Sequence, residues 1–333
     1  MHTTTIIQAE PPMQALATTP ARISFLLLPD FSMIAFVSAV EPLRVANRMA
    51  GRQLFSWQVL SLDGAPVTAS NGMAVVADSS YADAGQLAMV FVCASFAPER
   101  CADQHLHNWL RRMAAYGTVI GAIDTGSYLL ARARLLNGYR ATLHWEGVAA
   151  FSEAFPAVQV TQELFEIDRN RLTCAGGTAA MDMMLHLVAQ RHGQALAVAI
   201  SEQFIQNRIR PHSDHQRTDL STRIDTYNPH VLRVVARMEA NIETPLSAAA
   251  LARATGISLR QLERLFAAEL GATPQQYYLR IRLAHARQLL QQTDMQVIAV
   301  ALACGFGSAA PFSRAYKAHF GRTPRQDRQT GFA

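Results

Sequence analysis

Two fold classes in one chain are predicted: an α/β doubly wound domain with a mainly parallel sheet, then an all-α domain with two helix–turn–helix units. Three observations carry this. Residues 22–210 alternate short apolar runs with helix-spaced stretches, as βαβ units do. Residues 250–324 hold an internal repeat with helical periodicity. Charge divides at the same place: from Pro229 onward there are 13 Arg and Lys against 6 Asp and Glu, net +7, whereas residues 1–228 carry 17 against 19, net −2.

The chain has 333 residues, 50% apolar and 17% charged, enough to bury two cores and too apolar for wholesale disorder. The expected organisation is a flexible tail over 1–21, the α/β domain over 22–210, a linker over 211–228, the all-α domain over 229–328 and a tail over 329–333. The polar stretch "PHSDHQRTDLSTRIDTYNPH" (211–230) marks the linker. The longest apolar run, around Met89–Ala94, is too short to span a bilayer. Residues 1–21 show no basic segment leading into an apolar stretch, so a cytoplasmic protein without a membrane partner is expected. Cys93, Cys101, Cys174 and Cys304 are scattered without CxxC pairing, which argues against a metal site and suits a reducing compartment.

In the front domain "ISFLLLP" (23–29) has the length of a buried strand, and "AFVSAVEPLRVANRM" (35–49) follows at helical spacing. "SWQVLSL" (56–62) and "AMVFVCA" (88–94) are further strands, and "ADQHLHNWLRRMAAYG" (102–117) is an amphipathic helix ending at a glycine. Residues 119–123 form another strand, Asp124, Thr125 and Gly126 a sharp corner, and 127–136 the helix leaving it. Then come "RATLHWE" (140–146), two strands around "QELFEIDRNRLTCAGG" (162–177), and helices over 178–192 and 195–210.

In such sheets the ligand lies beyond the carboxyl ends of the strands. Glu41 on the first helix, Asp124 and Thr125 at the corner, and His144 with Trp145 are expected to converge there. A further strand–Gly-Gly–helix junction, "TCAGGTAAMD" (173–182), offers backbone N–H groups for an anion around Gly177 and Thr178. Many α/β enzymes mount a nucleophile at such a corner. Here it carries a carboxylate, a much weaker nucleophile than a thiolate. The set suits a small molecule with an amine or quaternary ammonium at one end and a carboxylate at the other, Trp145 supplying an aromatic face. Plainer roles stand beside this one. Glu41 would hydrogen-bond the turn at 124–126, His144 and Trp145 would be structural, and Thr178 would be a helix cap. Cys93, Cys101 and Cys174 read as small core residues.

The repeat pairs "ALARATGISLRQLERLFAAELGATP" (250–274) with "VALACGFGSAAPFSRAYKAHFGRTP" (300–324). Ala252, Gly256 and Ser258 align with Ala301, Gly305 and Gly307. After a one-residue insertion, Leu262, Phe266, Leu270 and Pro274 align with Phe312, Tyr316, Phe320 and Pro324. In the first unit Ser247 caps a short helix, Gly256 supplies a left-handed turn, and Ser258 caps the second helix. Leu262, Leu265 and Phe266 form its buried stripe, leaving Arg260, Gln261 and Arg264 outward. In the second unit Cys304, Gly305 and Phe306 turn the chain, and Ser308, Ser313, Arg314 and Lys317 lie off the apolar stripe. Such helices fit the major groove, where Arg bonds guanine and Gln reads adenine. A connecting helix from Pro274 to about Thr293, roughly 19 residues and about 28 Å, comes close to one duplex turn.

On these residues the C-terminal domain resembles the DNA-binding domain of AraC/XylS-type transcriptional regulators. "ALACGFGSAAPFSRAYKAHFGRTPRQDR" matches that family's C-terminal signature almost throughout. The front domain resembles the PfpI-like branch of the class I glutamine amidotransferase-like superfamily, in "GAIDTGSYLLARARLLNGYRATLHW" and "EPLRVAN". Enzymatic relatives carry a cysteine at the corner, supported by a glutamate on the first helix; residue 124 here is Asp. The resemblance implies a one-component regulator, an activator, whose sensor binds an amino acid, betaine, carnitine or related amine. It implies no enzyme activity and no cofactor. The implied partners are promoter DNA, RNA polymerase and a second copy of the chain. The stretch "AVAISEQFIQNRIR" (197–210) is the expected coupling element. The rival is an amidotransferase-like hydrolase fused to a DNA-binding domain and using Asp124 and His144.

Overall fold

Apolar runs too short for helices, each followed by a helix-spaced stretch, close into one twisted sheet. The computed structural model describes residues 20–330 apart from Ala97, Ala102, Thr293 and Asp294. The expected tails (1–21 and 329–333) and the far end of the connecting helix at Thr293 lie largely outside the described residues. The chain forms two units, one comprising the residues up to Val148 with Phe155–Gln216, the other Ala149–Ala154 with the residues from Arg217 onward.

In the first unit β1 (Ala21–Leu27) leads through α1 (Met33–Ala50) to β2 (Phe55–Ser61). Three two-residue strands follow, β3 (Val67–Thr68), β4 (Ala74–Val75) and β5 (Ser79–Ser80), and then β6 (Met89–Ala94). Helix α2 (Gln104–Ala115) precedes β7 (Val119–Asp124) and α3 (Gly126–Arg132). Beyond lie β8 (Arg140–Ala141), β9 (Gln159–Val160), β10 (Phe165–Asp168), β11 (Arg171–Cys174), α5 (Ala179–His192) and α6 (Gln194–Gln203), while α4 (Val148–Ala154), between β8 and β9, belongs with the second unit apart from Val148. The seven-stranded sheet has the order β10-β11-β7-β6-β1-β2-β5, parallel except for the β10–β11 edge pair. Its central strands are buried on both faces, which is why they read as unbroken apolar runs.

Register brings the strand ends level: Ala94 pairs with Asp124, and Cys174 with Ile123. Helix α3 starts against the sheet so closely that a Cβ on Gly126 would stand 2.1 Å from the Val92 carbonyl oxygen. Only glycine fits there.

Two segments differ from expectation. The helix expected over 195–210 stops at Gln203, because Ile205 is left-handed at φ 58° and the Gln206 and Arg210 side chains turn back to Asp182. The span 211–228 is not a plain tether. His212 accepts the Leu164 N–H, the Gln216 amide hydrogen-bonds three oxygens of the first unit, and α7 (Leu220–Arg223) begins the second unit. The helix after the corner is also shorter than 127–136. It ends at Arg132, and Arg134 is left-handed at φ 60°.

The second unit is all helix: α8 (Pro229–Glu239), α9 (Ala248–Ala254), α10 (Leu259–Leu270), α11 (Pro274–Gln292), α12 (Val297–Ala303), α13 (Ala309–Phe320) and α14 (Pro324–Thr330). It has two small cores, one built on Val234, Met238, Leu262 and Phe266, the other on Leu289, Val300, Phe312 and Tyr316. Helix α11 contributes to both.

The corner yields a stability test. Gly126→Ala should destabilise the protein by more than about 3 kcal/mol, since backbone must move to admit the methyl. Gly51→Ala, left-handed at φ 61° but with nothing within 4 Å of the new Cβ, should cost only about 1 kcal/mol. Urea denaturation of the two variants checks this; equal losses would refute the close-contact explanation.

Candidate functional site

The site begins where β7 runs out. Asp124 is held left-handed at φ 61°, a conformation Asp tolerates better than most residues and one that throws its side chain out of the strand direction. The residue is only 6% exposed. A Cβ on Gly176, itself left-handed at φ 87°, would stand 2.7 Å from the Asp124 Cβ and 2.9 Å from its Oδ2. Gly176 is therefore the floor on which the carboxyl rests. Burial lifts the Asp124 pKa to about 7; hydrogen bonds from the Thr125 N–H and the Ser95 side chain oppose the lift, and the nearby Glu146 charge adds to it.

The Thr125 hydroxyl spends its proton on the Ser95 carbonyl, which leaves it only as an acceptor. The Ser127 hydroxyl donates to the Thr142 carbonyl at 2.7 Å, and the Thr142 N–H donates to Thr173 Oγ1 at 2.9 Å. These bonds tie the strand end before His144, Trp145 and Glu146 to α3 and β11, and of the three Glu146 acts on Asp124 by its charge. The rings of His144 and Trp145 stand 5.6 Å apart, both half-buried, and His144 Nδ1 lies 3.7 Å from Glu146. Burial holds His144 below the usual histidine pKa, opposed by the nearby Glu146 charge.

Glu41 does not join this group. Its carboxylate forks on Arg44 one turn further along α1, at 2.6–3.0 Å, and makes no hydrogen bond to residues 124–126. An i,i+3 partner on its own helix outcompetes a turn across the sheet. Gly177 is left-handed at φ 52° beside Gly176, and Thr178 occupies the N-cap position of α5 without a side-chain cap bond. Instead the Thr178 hydroxyl accepts from Arg210, whose guanidinium is also paired at 2.6 Å with the fully buried Asp182.

Sequence reasoning missed Ser95, Glu146 and Arg210. Ser95 was accessible in principle, since the residue after Ala94 must lie beside Asp124 once β6 and β7 are parallel neighbours. Glu146 stands two residues beyond His144. Arg210 was hidden by its assignment to a helix.

The thiols beneath the corner are not nucleophiles. Burial pushes Cys93 up strongly and Cys174 to about 12, so both stay protonated at pH 7.

In the second unit α9 and α10 meet through Gly256 at φ 72°, and Ser258 caps α10 by accepting the Gln261 N–H at 3.2 Å. Leu262 and Phe266 are buried, while Arg260 and Arg264 are exposed and Gln261 half-exposed. In α13, Phe312 and Tyr316 are buried, Arg314 and Lys317 exposed, and Ser313 half-buried. Exposed Ser308 heads the helix without a cap bond. The second turn is clamped by Arg282, which donates to the carbonyls of Cys304 and Gly305 at 2.7 and 2.8 Å and covers the Phe306 ring. None of the described residues pairs with Arg260, Arg264, Arg314 or Lys317, so their charges stand free for phosphates or base edges.

Residues 21–190 match the DJ-1/PfpI family, and residues 251–330 match a helix-turn-helix domain. The HTH-type transcriptional regulator CdhR of Pseudomonas aeruginosa is 53% identical over 91% of this chain and 90% of its own length. The HTH-type transcriptional regulator GbdR of the same species is 48% identical over 93% of this chain and 84% of its own. A crystal structure of an AraC family transcriptional regulator from Pseudomonas putida matches with a TM-score of 0.51 at 34% identity, over 56% of this chain and all of that one.

Two measurements follow from the site. Because the fold raises the Asp124 pKa from 3.8 to about 7, the term stabilises the protein below pH 4 and is lost as pH rises to 7. Asp124→Asn, which tolerates the same left-handed backbone, should therefore gain on the wild type by up to about 4 kcal/mol between pH 4 and pH 8. A pH-independent difference in urea unfolding would refute the buried-carboxyl assignment. For the helical unit, Arg264→Ala should weaken binding and relax base preference by about 1–3 kcal/mol in a binding-site selection if Arg264 reads a base; a uniform loss with a shallower salt slope would make it a phosphate contact.

Proposed function

Because the chain belongs to the AraC-family transcriptional regulators with a DJ-1/PfpI-type front domain, we propose that this front unit is an effector sensor. The chain is a DNA-binding regulator rather than an enzyme, as its relatives are. The hydrolase alternative built on Asp124 and His144 is set aside on that ground.

The observation that carries the proposal is Asp124, a carboxyl forced into a dry corner at the carboxyl end of the central strands. A buried carboxyl near pKa 7 is a poor partner for water and a strong one for a desolvated cation, which would drive it to the ionised form. Trp145 provides an aromatic face, and Glu146 adds negative charge beside it. Gly177 and Thr178, with Arg210 behind Thr178, would seat a carboxylate at the other end. The effector class is accordingly an amino acid, betaine, carnitine or similar amine-bearing carboxylate.

Transcription control follows from linkage. The ligand must bind more tightly to the arrangement of the protein that engages promoter DNA productively. The exposed faces of α10 and α13 supply that contact through Arg260, Gln261, Arg264, Arg314 and Lys317, with Ser258, Ser308 and Ser313 at or near the helix starts. We infer a cytoplasmic activator acting as a homodimer with RNA polymerase. No helix among the described residues is long and apolar enough to cross a membrane.

Thermal melting of the protein against amino acids, betaines, carnitine, polyamines and plain carboxylates tests the reading. An effector at 100 times its dissociation constant adds about 2.7 kcal/mol, a visible shift. With a permanently charged ammonium ligand, affinity should fall about tenfold from pH 8 to pH 6, as protonation competes for Asp124. Asp124→Asn should abolish both the shift and its pH dependence while sparing DNA binding. A shift that survives in Asp124→Asn would remove Asp124 from the effector site.

A further inference from the structure

The end of α3 remote from the corner, about 10 Å along its axis from Asp124, opens on a recess of about 510 Å³ lined by Gln104, His107, Arg111, Arg132 and Arg134. Among these, His107 is 8% exposed, and its Nε2 is buried with no hydrogen-bond partner among the described residues. A buried ring nitrogen without a partner forfeits its hydration, so it persists in a native structure where something else completes it.

Three guanidiniums line the recess, those of Arg111 and Arg132 acting on His107, and none is paired with a carboxylate of the described residues. Arg111 is braced by donating to the Ala133 carbonyl at 3.0 Å and to Asn108 at 3.0 Å. Arg132 leans on Tyr128, donating to its hydroxyl at 3.0 Å. Arg134 is exposed and follows directly after α3. Asp103, the carboxylate that acts on His107, is engaged in capping α2, accepting the Leu106 N–H at 2.7 Å. Like charges gathered around an open recess repel one another and gain when a multivalent anion enters.

We propose that this recess is a second ligand site of the front unit, built for a compact multivalent oxyanion, namely a phosphate or phosphate-ester group. The planar guanidiniums of Arg132 and Arg134 would fork on the oxygens, with Arg111 and the His107 ring behind them. The openness of the recess leaves room for the remainder of a phosphorylated metabolite. The site is separate from the effector corner and stands without it.

Calorimetric titration of the full chain with inorganic phosphate and with pyrophosphate, at ionic strength fixed with sodium chloride, tests this. Saturable binding is expected, tighter for pyrophosphate. Arg132→Gln and Arg134→Gln, both exposed positions, should each weaken it by at least about tenfold, the scale of one charge-assisted hydrogen bond. Asp124→Asn should bind these probes as the wild type does, which separates this site from the corner. In a ¹⁵N-histidine spectrum pyrophosphate should shift the His107 ring nitrogens. Absence of saturable binding, or equal affinities in the arginine variants, overturns the proposal. So does failure of both probes together with a shallower salt slope of promoter binding in the variants, since the recess would then serve DNA backbone.

Discussion

A carboxyl group kept dry at a left-handed corner is the constraint around which the front unit is arranged. Three parallel strands must end level for the corner to exist, and the register of β6, β7 and β11 achieves this. Helix α3 must then leave at once, which only a glycine at 126 allows, and the adjacent strand end must pass under the carboxyl, which only a glycine at 176 allows. Small side chains fill what remains, Cys93 and Cys174 among them. The arrangement raises the free energy of the ionised carboxylate, and that cost is recoverable by a cationic ligand. A thiolate at this corner would be a far stronger nucleophile than the carboxylate that stands there, which suits Asp124 to the recognition role proposed for it.

The helical half solves a different problem with less material. Each helical core is small for a free-standing domain, and α11 runs through both. Polar clamps join the outlying parts to it. Arg282 holds the turn of the second unit by its carbonyls, and Arg287 pairs at 3.0 Å with buried Asp327, which also accepts the Tyr316 hydroxyl at 2.6 Å. Tyr316 is thereby kept protonated, its pKa raised by burial and by Asp327. With its buried stripes and clamps accounted for, each reading helix has only its charged face left over.

Much of this was legible in the sequence because it rests on local periodicity and backbone chemistry. The strands and helices of the front unit, the corner at Asp124, the turns at Gly256 and Gly305 and the buried stripes of α10 and α13 all follow from spacing, glycine placement and capping residues. What was not legible depends on partners distant in the chain. Glu41 was expected at the corner, yet the Arg44 that captures it stands in the same quoted segment, "EPLRVAN", at a spacing that favours the pair. The early end of α6 came from Asp182, a residue 28 positions before Arg210 that no periodicity links to it. Ser95 and Glu146 became visible only when strand order placed them beside Asp124.

The stretch from Phe204 to Gln216 is where the front unit hands the chain on, and its fastening is polar rather than apolar. Arg210 spans Asp182 and Thr178, so the Gly-Gly junction beside the corner and the departing chain share one guanidinium. Gln216 offers its amide nitrogen to Thr142 Oγ1 and to the carbonyls of Leu143 and Glu163, all at 2.9–3.0 Å. An NH₂ group has two protons for these three acceptors, and the Gln216 Oε1 is buried without a partner among the described residues. An unmet buried acceptor costs about 1–3 kcal/mol, which offsets much of what the bonds contribute. Leu143 immediately precedes His144 and Trp145, so this anchor holds the backbone next to the two rings proposed for the effector site. The fastening is therefore specific in geometry but modest in net strength. Under the proposed function, a ligand at the corner would need only a few kcal/mol of differential affinity to bias a fastening of this strength, within the ordinary range for a small effector.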